Sequence, residues 1–324
     1  MPGATSIATP PAPSSRGRNL ADPKVLMAIR NLEWRARVIV QGFWRGLHRS
    51  PYHGFSVEFT EYRQYSPGDD TRYLDWRLYA RTDRPYLKRF EDETNLRCHL
   101  VVDQSRSMEY ASGQYNKAEY ARTLAATLAW FLHHQGDAVG LVTFDDRARE
   151  YLPPRQRRGH LRQLMLALEK SGGGRGTSLQ APLQRVADLA RHRGLVVLLS
   201  DLLASLEDFE RDLARLTAAG HEVVALQILD PQEVAFDFER PLLFHDLESE
   251  RDVFVDPRGA RAEYQRRFAA HARHAEAVCQ KLGASFQRIV TDQPLEIALA
   301  DFLRGRQRGK NRARRRNAPG FVSK

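Results

Sequence analysis

The chain has 324 residues, 42% of them hydrophobic and 28% charged, which is the composition of an ordinary soluble globular protein with room for one large domain or two modest ones. Two cysteines exclude a disulfide framework or a zinc cluster, and no apolar run is long enough to span a bilayer. The formal charge of +10 belongs to one end: from Arg304 onward nine basic residues stand without an acid, and subtracting these nine leaves +1 for residues 1–303.

Residues 1–21, rich in Pro, Ser and small side chains, are expected to be disordered and contain no apolar signal-peptide core. A cytoplasmic protein is the expectation. A helix is predicted from about Asp22, with Val25, Ile29, Leu32 and Ala36 at helical spacing. The stretch "GFSVEFTEYRQYSPGDDTRYLDWRLYARTDRPYLKRFEDE" then alternates aromatics with charges and favours extended chain. Within it "SPGD" is a turn, because Pro67 presets φ at the second position and Gly68 accepts a positive φ at the third. The opposite charges of Asp69, Asp70, Arg72, Asp75 and Arg77 suit a salt-bridged scaffold with Trp76 buried, a functional surface being the rival reading.

From Arg97 strands and helices alternate. "CHLVVD", "DAVGLVTFD", "LVVLLSD", "HEVVALQIL" and "ASFQRIV" read as strands, with "RAREYLPP" the hairpin partner of the second. Helices are predicted over 117–133, 160–170, 179–191, 206–218, 260–281 and 294–303, and Gly220 stands just past the end of one of them. "PLLFHDLESERDVFVDP" reads as an inserted β-hairpin. Strands at helix-sized intervals imply right-handed βαβ units and a doubly wound, mainly parallel α/β sheet covered on both faces. Four segments follow: a disordered 1–21, a helix plus β-rich segment over 22–96, an α/β domain over 97–303, and a basic disordered tail over 304–324. Cys98 and Cys279 lie in apolar periodic segments and are expected to be small buried side chains.

Open parallel sheets bind ligands beyond the carboxyl ends of their strands. Three loops there carry oxygen-bearing side chains: Asp103, Ser105 and Ser107 after the first strand, Thr177 after the glycines of "GGGRGTS", and Asp201 closing "VVLLSD". Ser105 and Ser107 are expected to face the same way because alternate positions of extended chain do. An all-oxygen set with few carboxylates suits a hard divalent cation, Mg²⁺ first, with Mn²⁺ or Ca²⁺ as alternatives. Helix capping is the rival role for Ser and Asp after strands, but capping does not need two carboxylates converging on one edge. "GGGRGTS" lacks the Gly-Lys-Ser/Thr ending of a P-loop.

D-x-S-x-S after a buried strand, a Thr in a G-T-S loop and an Asp ending a later strand together resemble the metal-ion-dependent adhesion site of von Willebrand factor A domains. That resemblance implies a von Willebrand A-like (Rossmann-like) fold. In it Ser105, Ser107 and Thr177 touch the metal, Asp103 and Asp201 hold it through water and hydrogen bonds, and an acidic side chain from a partner completes its coordination. The upstream Y-x-P-G-D-D-x-R-x-x-D-W signature, with "LLFHDLESERDVFVDP" before the long helix, is similar to the bacterial domain of unknown function 58 family over roughly residues 40–303. Many members carry transmembrane segments, and many are encoded beside MoxR-type AAA+ ATPases. The resemblance therefore implies a MoxR-type ATPase as partner in assembly or maturation of other proteins.

Enzyme signatures are lacking: there is no Gly-x-Ser-x-Gly elbow, and "HEVVA" has no second His. A non-enzymatic, Mg²⁺-dependent docking module is the expectation. The alternatives are a metal-dependent phosphoester hydrolase, which ordinarily needs more carboxylates for two metals, and weak electrostatic binding of nucleic acid or an anionic surface through 304–324.

Overall fold

The computed structural model describes residues 23–49, 61–64, 79–81, 86–89, 96–170, 180–190, 192–245 and 251–317. The predicted disordered 1–21, the "SPGDDTRYLDW" signature with Trp76, the Gly-rich loop with Thr177, and the last seven residues lie outside them.

The single helix expected from Asp22 is two, α1 (Pro23–Met27) and α2 (Leu32–Arg49). Asn31 interrupts it, its side-chain oxygen accepting from Trp34 N at 2.8 Å and so capping the second helix. Arg35 ties the corner down, donating to Met27 O, Ile29 O and Thr123 and pairing with Glu119 at 3.1 Å. Two short strands, β1 (Glu61–Gln64) and β2 (Tyr86–Arg89), pair antiparallel in the segment expected to be β-rich.

The main sheet comprises β3 (Arg97–Asp103), β4 (Ala138–Phe144), β5 (Ala148–Arg155), β6 (Leu195–Ser200), β7 (Glu222–Leu229) and β10 (Ser285–Val290), in the order β10-β7-β6-β3-β4-β5. All neighbours are parallel except the β4–β5 hairpin at one edge. The order is the doubly wound one, reversing direction at β3, the first strand of the sheet.

Alternation along each strand builds two cores. Cys98, Leu100, Val102, Leu195, Val197 and Leu199 face one, under α2, α3 (Lys117–His134) and α4 (His160–Glu169). Val101, Val196 and Leu198 face the other, under α5 (Gln180–Leu189), α6 (Leu206–Ala218) and α8 (Pro257–Lys281). Cys98 and Cys279 are buried on opposite faces as free thiols, and burial pushes both thiol pKa values up. A short α7 (Pro231–Ala235), unseen in the sequence pattern, follows β7 and precedes the expected hairpin of β8 (Leu242–His245) and β9 (Asp252–Val255).

The tail predicted to be disordered begins as helix. Helix α9 begins at Leu295 and continues past the expected stop at Leu303 to Asn317. Arg, Lys, Gln and Ala are all good helix formers, and the first proline that could end the helix is Pro319.

His99, buried in β3, is held neutral to about pH 4 by desolvation first, with His221 and Arg97 adding like charge. The unfolded chain takes up that proton near pH 6.5. The unfolded state therefore binds more protons between pH 6.5 and 4, and stability falls as pH falls through that window. His99 contributes up to about 3 kcal/mol to the loss. Urea unfolding at pH 7 and 4.5 is expected to show a smaller pH effect in His99→Leu than in the wild type; equal effects would remove His99 as the cause.

Candidate metal centre

At the carboxyl ends of β3 and β6 the chain brings Asp103 and Asp201 together. Register pairs Val102 with Leu199, so Asp103 lies beside Ser200, and both are fully buried. Ser200 Oγ donates to Asp103 Oδ2 at 2.6 Å, and Ser105 N donates to Oδ1 at 2.9 Å. Both donors are neutral. Burial, then the nearby charge of Asp201, push the Asp103 carboxyl well above the usual carboxylate range, against the opposing pull of Ser200 and Ser105. A buried carboxylate in this state favours a cation beside it.

The Ser105 and Ser107 hydroxyls approach to 3.1 Å. Their convergence has a different origin from the one expected: Ser105 is extended, but Ser107 sits inside a single 3₁₀ turn, Arg106–Glu109. The turn, rather than strand alternation, brings the two oxygens to one side. Thr177, the fifth expected ligand, lies outside the described residues.

Asp201 makes a contact the sequence reading missed. Its Oδ2 accepts from Lys117 Nζ at 2.9 Å, and the same ammonium reaches Glu233 Oε1 at 2.6 Å. The Lys117 and Asp201 side chains are 0% exposed and that of Glu233 is 17% exposed, so the triad is an interior feature. Burial alone would lower the Lys117 pKa, but Asp201 and Glu233 outweigh it and hold the pKa above the ordinary lysine value. A signal was present: Lys117 lies four residues before Ala121, seven before Leu124 and eleven before Leu128, so it begins the apolar stripe of α3. A lysine at such a position needs an internal partner.

Glu233 belongs to a fourth element at the same edge, the short helix α7 that follows β7. Asp230 caps α7 in a reciprocal box with Glu233, and "DPQE" is the sequence signature of that box. Asp230 Oδ2 also accepts from Ser112 N, and Tyr110 donates to Gln232 Oε1, tying the loop after Ser107 to this corner. Behind Asp201, Leu202 adopts a left-handed φ of +57° with its side chain fully buried. Its N–H donates to Ser200 Oγ at 3.0 Å, and its carbonyl meets His271 Nε2 at 2.7 Å.

The donor set fits a hard divalent cation in chemistry. Asp103 lacks a cationic partner among its described hydrogen bonds, and two hydroxyls converge next to it. Among the described residues no group of three or more His, Cys, Asp or Glu side chains could hold a metal, so an ion here would depend on the serines. No described helix is long and apolar enough to cross a membrane.

Relatives are known by sequence and by shape. The chain is 30% identical over 303 residues to an uncharacterized protein of Mycobacterium bovis, Mb1516, covering 92% of this chain and 94% of that one. The Mycobacterium tuberculosis protein Rv1480 matches to the same extent. Among solved structures, an aerotolerance-related membrane protein from Bacteroides fragilis matches 64% of this chain and 97% of its own at 17% identity, with a TM-score of 0.45. BatB from Bacteroides thetaiotaomicron matches 67% and 99% at 14% identity, with a TM-score of 0.44. The family model described as "Protein of unknown function DUF58" matches residues 61–275. Its doubly wound, mainly parallel sheet lies largely within that matched segment, and this chain belongs to the DUF58 family.

Proposed function

We propose that the chain is a non-enzymatic, Mg²⁺-dependent protein-docking module. Asp103, Ser105, Ser107, Thr177 and Asp201 hold the ion, and an acidic side chain of a partner completes the site. The supporting observation is the placement of two carboxylates and two converging hydroxyls at one edge, with the buried Asp103 accepting only neutral donors among its described bonds. A bound Mg²⁺ would supply the positive field that attracts an incoming carboxylate. The protein's own groups do the rest. Ser200 and Ser105 N fix the Asp103 carboxylate, and the 3₁₀ turn presents the hydroxyls. The Asp230–Glu233 corner anchors the loop that follows.

The partner we propose is a MoxR-type AAA+ ATPase, with a role in assembly or maturation of other proteins. Support for this step is the resemblance carried by the Y-x-P-G-D-D-x-R-x-x-D-W signature and the match to the DUF58 family. Pull-down of a MoxR-type ATPase from the same genome is expected to require Mg²⁺, to be lost with EDTA, and to fall by at least about tenfold in Asp103→Ala while circular dichroism stays native. Capture indifferent to both EDTA and the substitution would refute the reading.

A further inference from the structure

Lys117 stands where the docking site has its second carboxylate. The ammonium is interior, it spans Asp201 and Glu233, and it bonds to Oδ2 of Asp201, a residue that the proposed site gives to the ion. An ion's field falls off slowly in a buried setting, so a fixed positive charge beside a divalent site opposes its occupation. The same charge keeps Asp201 and Glu233 tolerable when no ion is present.

We propose that Lys117 is the resident counter-charge of this site: its ammonium and a divalent cation compete for Asp201, so that loading the site means releasing the Lys117–Asp201 contact. The inference rests on the docking-site reading above. It keeps Asp201 charge-paired in the absence of metal and sets a low intrinsic affinity, so that a divalent ion and a partner's carboxylate favour each other's binding. Glu233 is the group that retains Lys117 after release, because it holds the ammonium independently at 2.6 Å. The capping box fixes Glu233 in turn through Asp230 N, at 2.9 Å from its other oxygen.

The test titrates Mg²⁺ alone, by calorimetry, into the full chain. Removing only Lys117 leaves two carboxylates without a cation and risks unfolding. The main variant is therefore Lys117→Met with Glu233→Gln, which keeps the local net charge of the wild type and frees Asp201. This double variant is expected to bind Mg²⁺ at least about tenfold more tightly than the wild type, and its melting temperature is expected to respond more strongly to Mg²⁺ and EDTA. Binding by the double variant alone supports the proposal equally. If the wild type binds Mg²⁺ and the double variant binds no more tightly, Lys117 is a structural tie and the competition is refuted while the site reading stands. If neither protein binds Mg²⁺, the metal site itself is refuted, and the inference with it.

Discussion

Lys117→Met, without divalent cation, is expected to lower the unfolding free energy by about 3–5 kcal/mol, the usual cost of removing one partner from a buried ion pair. Methionine fills much of the lysine's volume, so the loss is electrostatic rather than a cavity effect. Asp201 then faces an interior with a nearby second carboxylate, and Glu233 loses its cation. Adding Glu233→Gln is expected to recover part of the loss, because one of the two stranded charges is gone. Urea unfolding in EDTA checks both. A cost below about 1 kcal/mol for the single variant would mean that water screens the triad and would refute the buried counter-charge role.

The second large effect is at Leu202. Its side chain is fully buried in the second core, and truncation to alanine is expected to cost about 3 kcal/mol. Its backbone is left-handed, which costs a residue with a Cβ about 1–2 kcal/mol. Glycine pays no such cost, so Leu202→Gly is expected to be no less stable than Leu202→Ala, although it buries one carbon fewer. At an ordinary buried position glycine is the worse of the two. Denaturant unfolding of the pair decides: glycine clearly below alanine would refute the strain. The strain matters because Leu202 follows Asp201 directly, and the burial of its side chain, with the His271 contact to its carbonyl, holds the loop in place. Strained positions of this kind persist where surrounding packing over-determines them.

Much of this was legible in the chain. The βα alternation from Arg97 onward, the β4–β5 and β8–β9 hairpins and Gly220 just past α6 follow from period, length and turn chemistry, which act over a few residues. The D-x-S-x-S loop was visible because its residues are neighbours in sequence, and the strand-end position of Asp103 and Asp201 followed from topology. Local errors also had local causes. Asn31 capped a helix that apolar spacing had continued, and basic helix formers carried α9 beyond Leu303.

By itself, then, the sequence determined the class of fold, the edge of the sheet where chemistry could gather and the hard oxygen character of the donors there. Only the tertiary structure decided what balances the charge. Lys117 and Asp201 are 84 residues apart, Lys117 and Glu233 116, and Ser200 and Asp103 97. A lysine on an apolar stripe announces that it needs a partner, but the sheet order and the lengths of three connections select which carboxylates reach it. The same long-range packing holds Leu202 in a conformation its own residue type disfavours. Burial energy is collective, so the positions where it overrides local preference appear only once the chain has closed on itself.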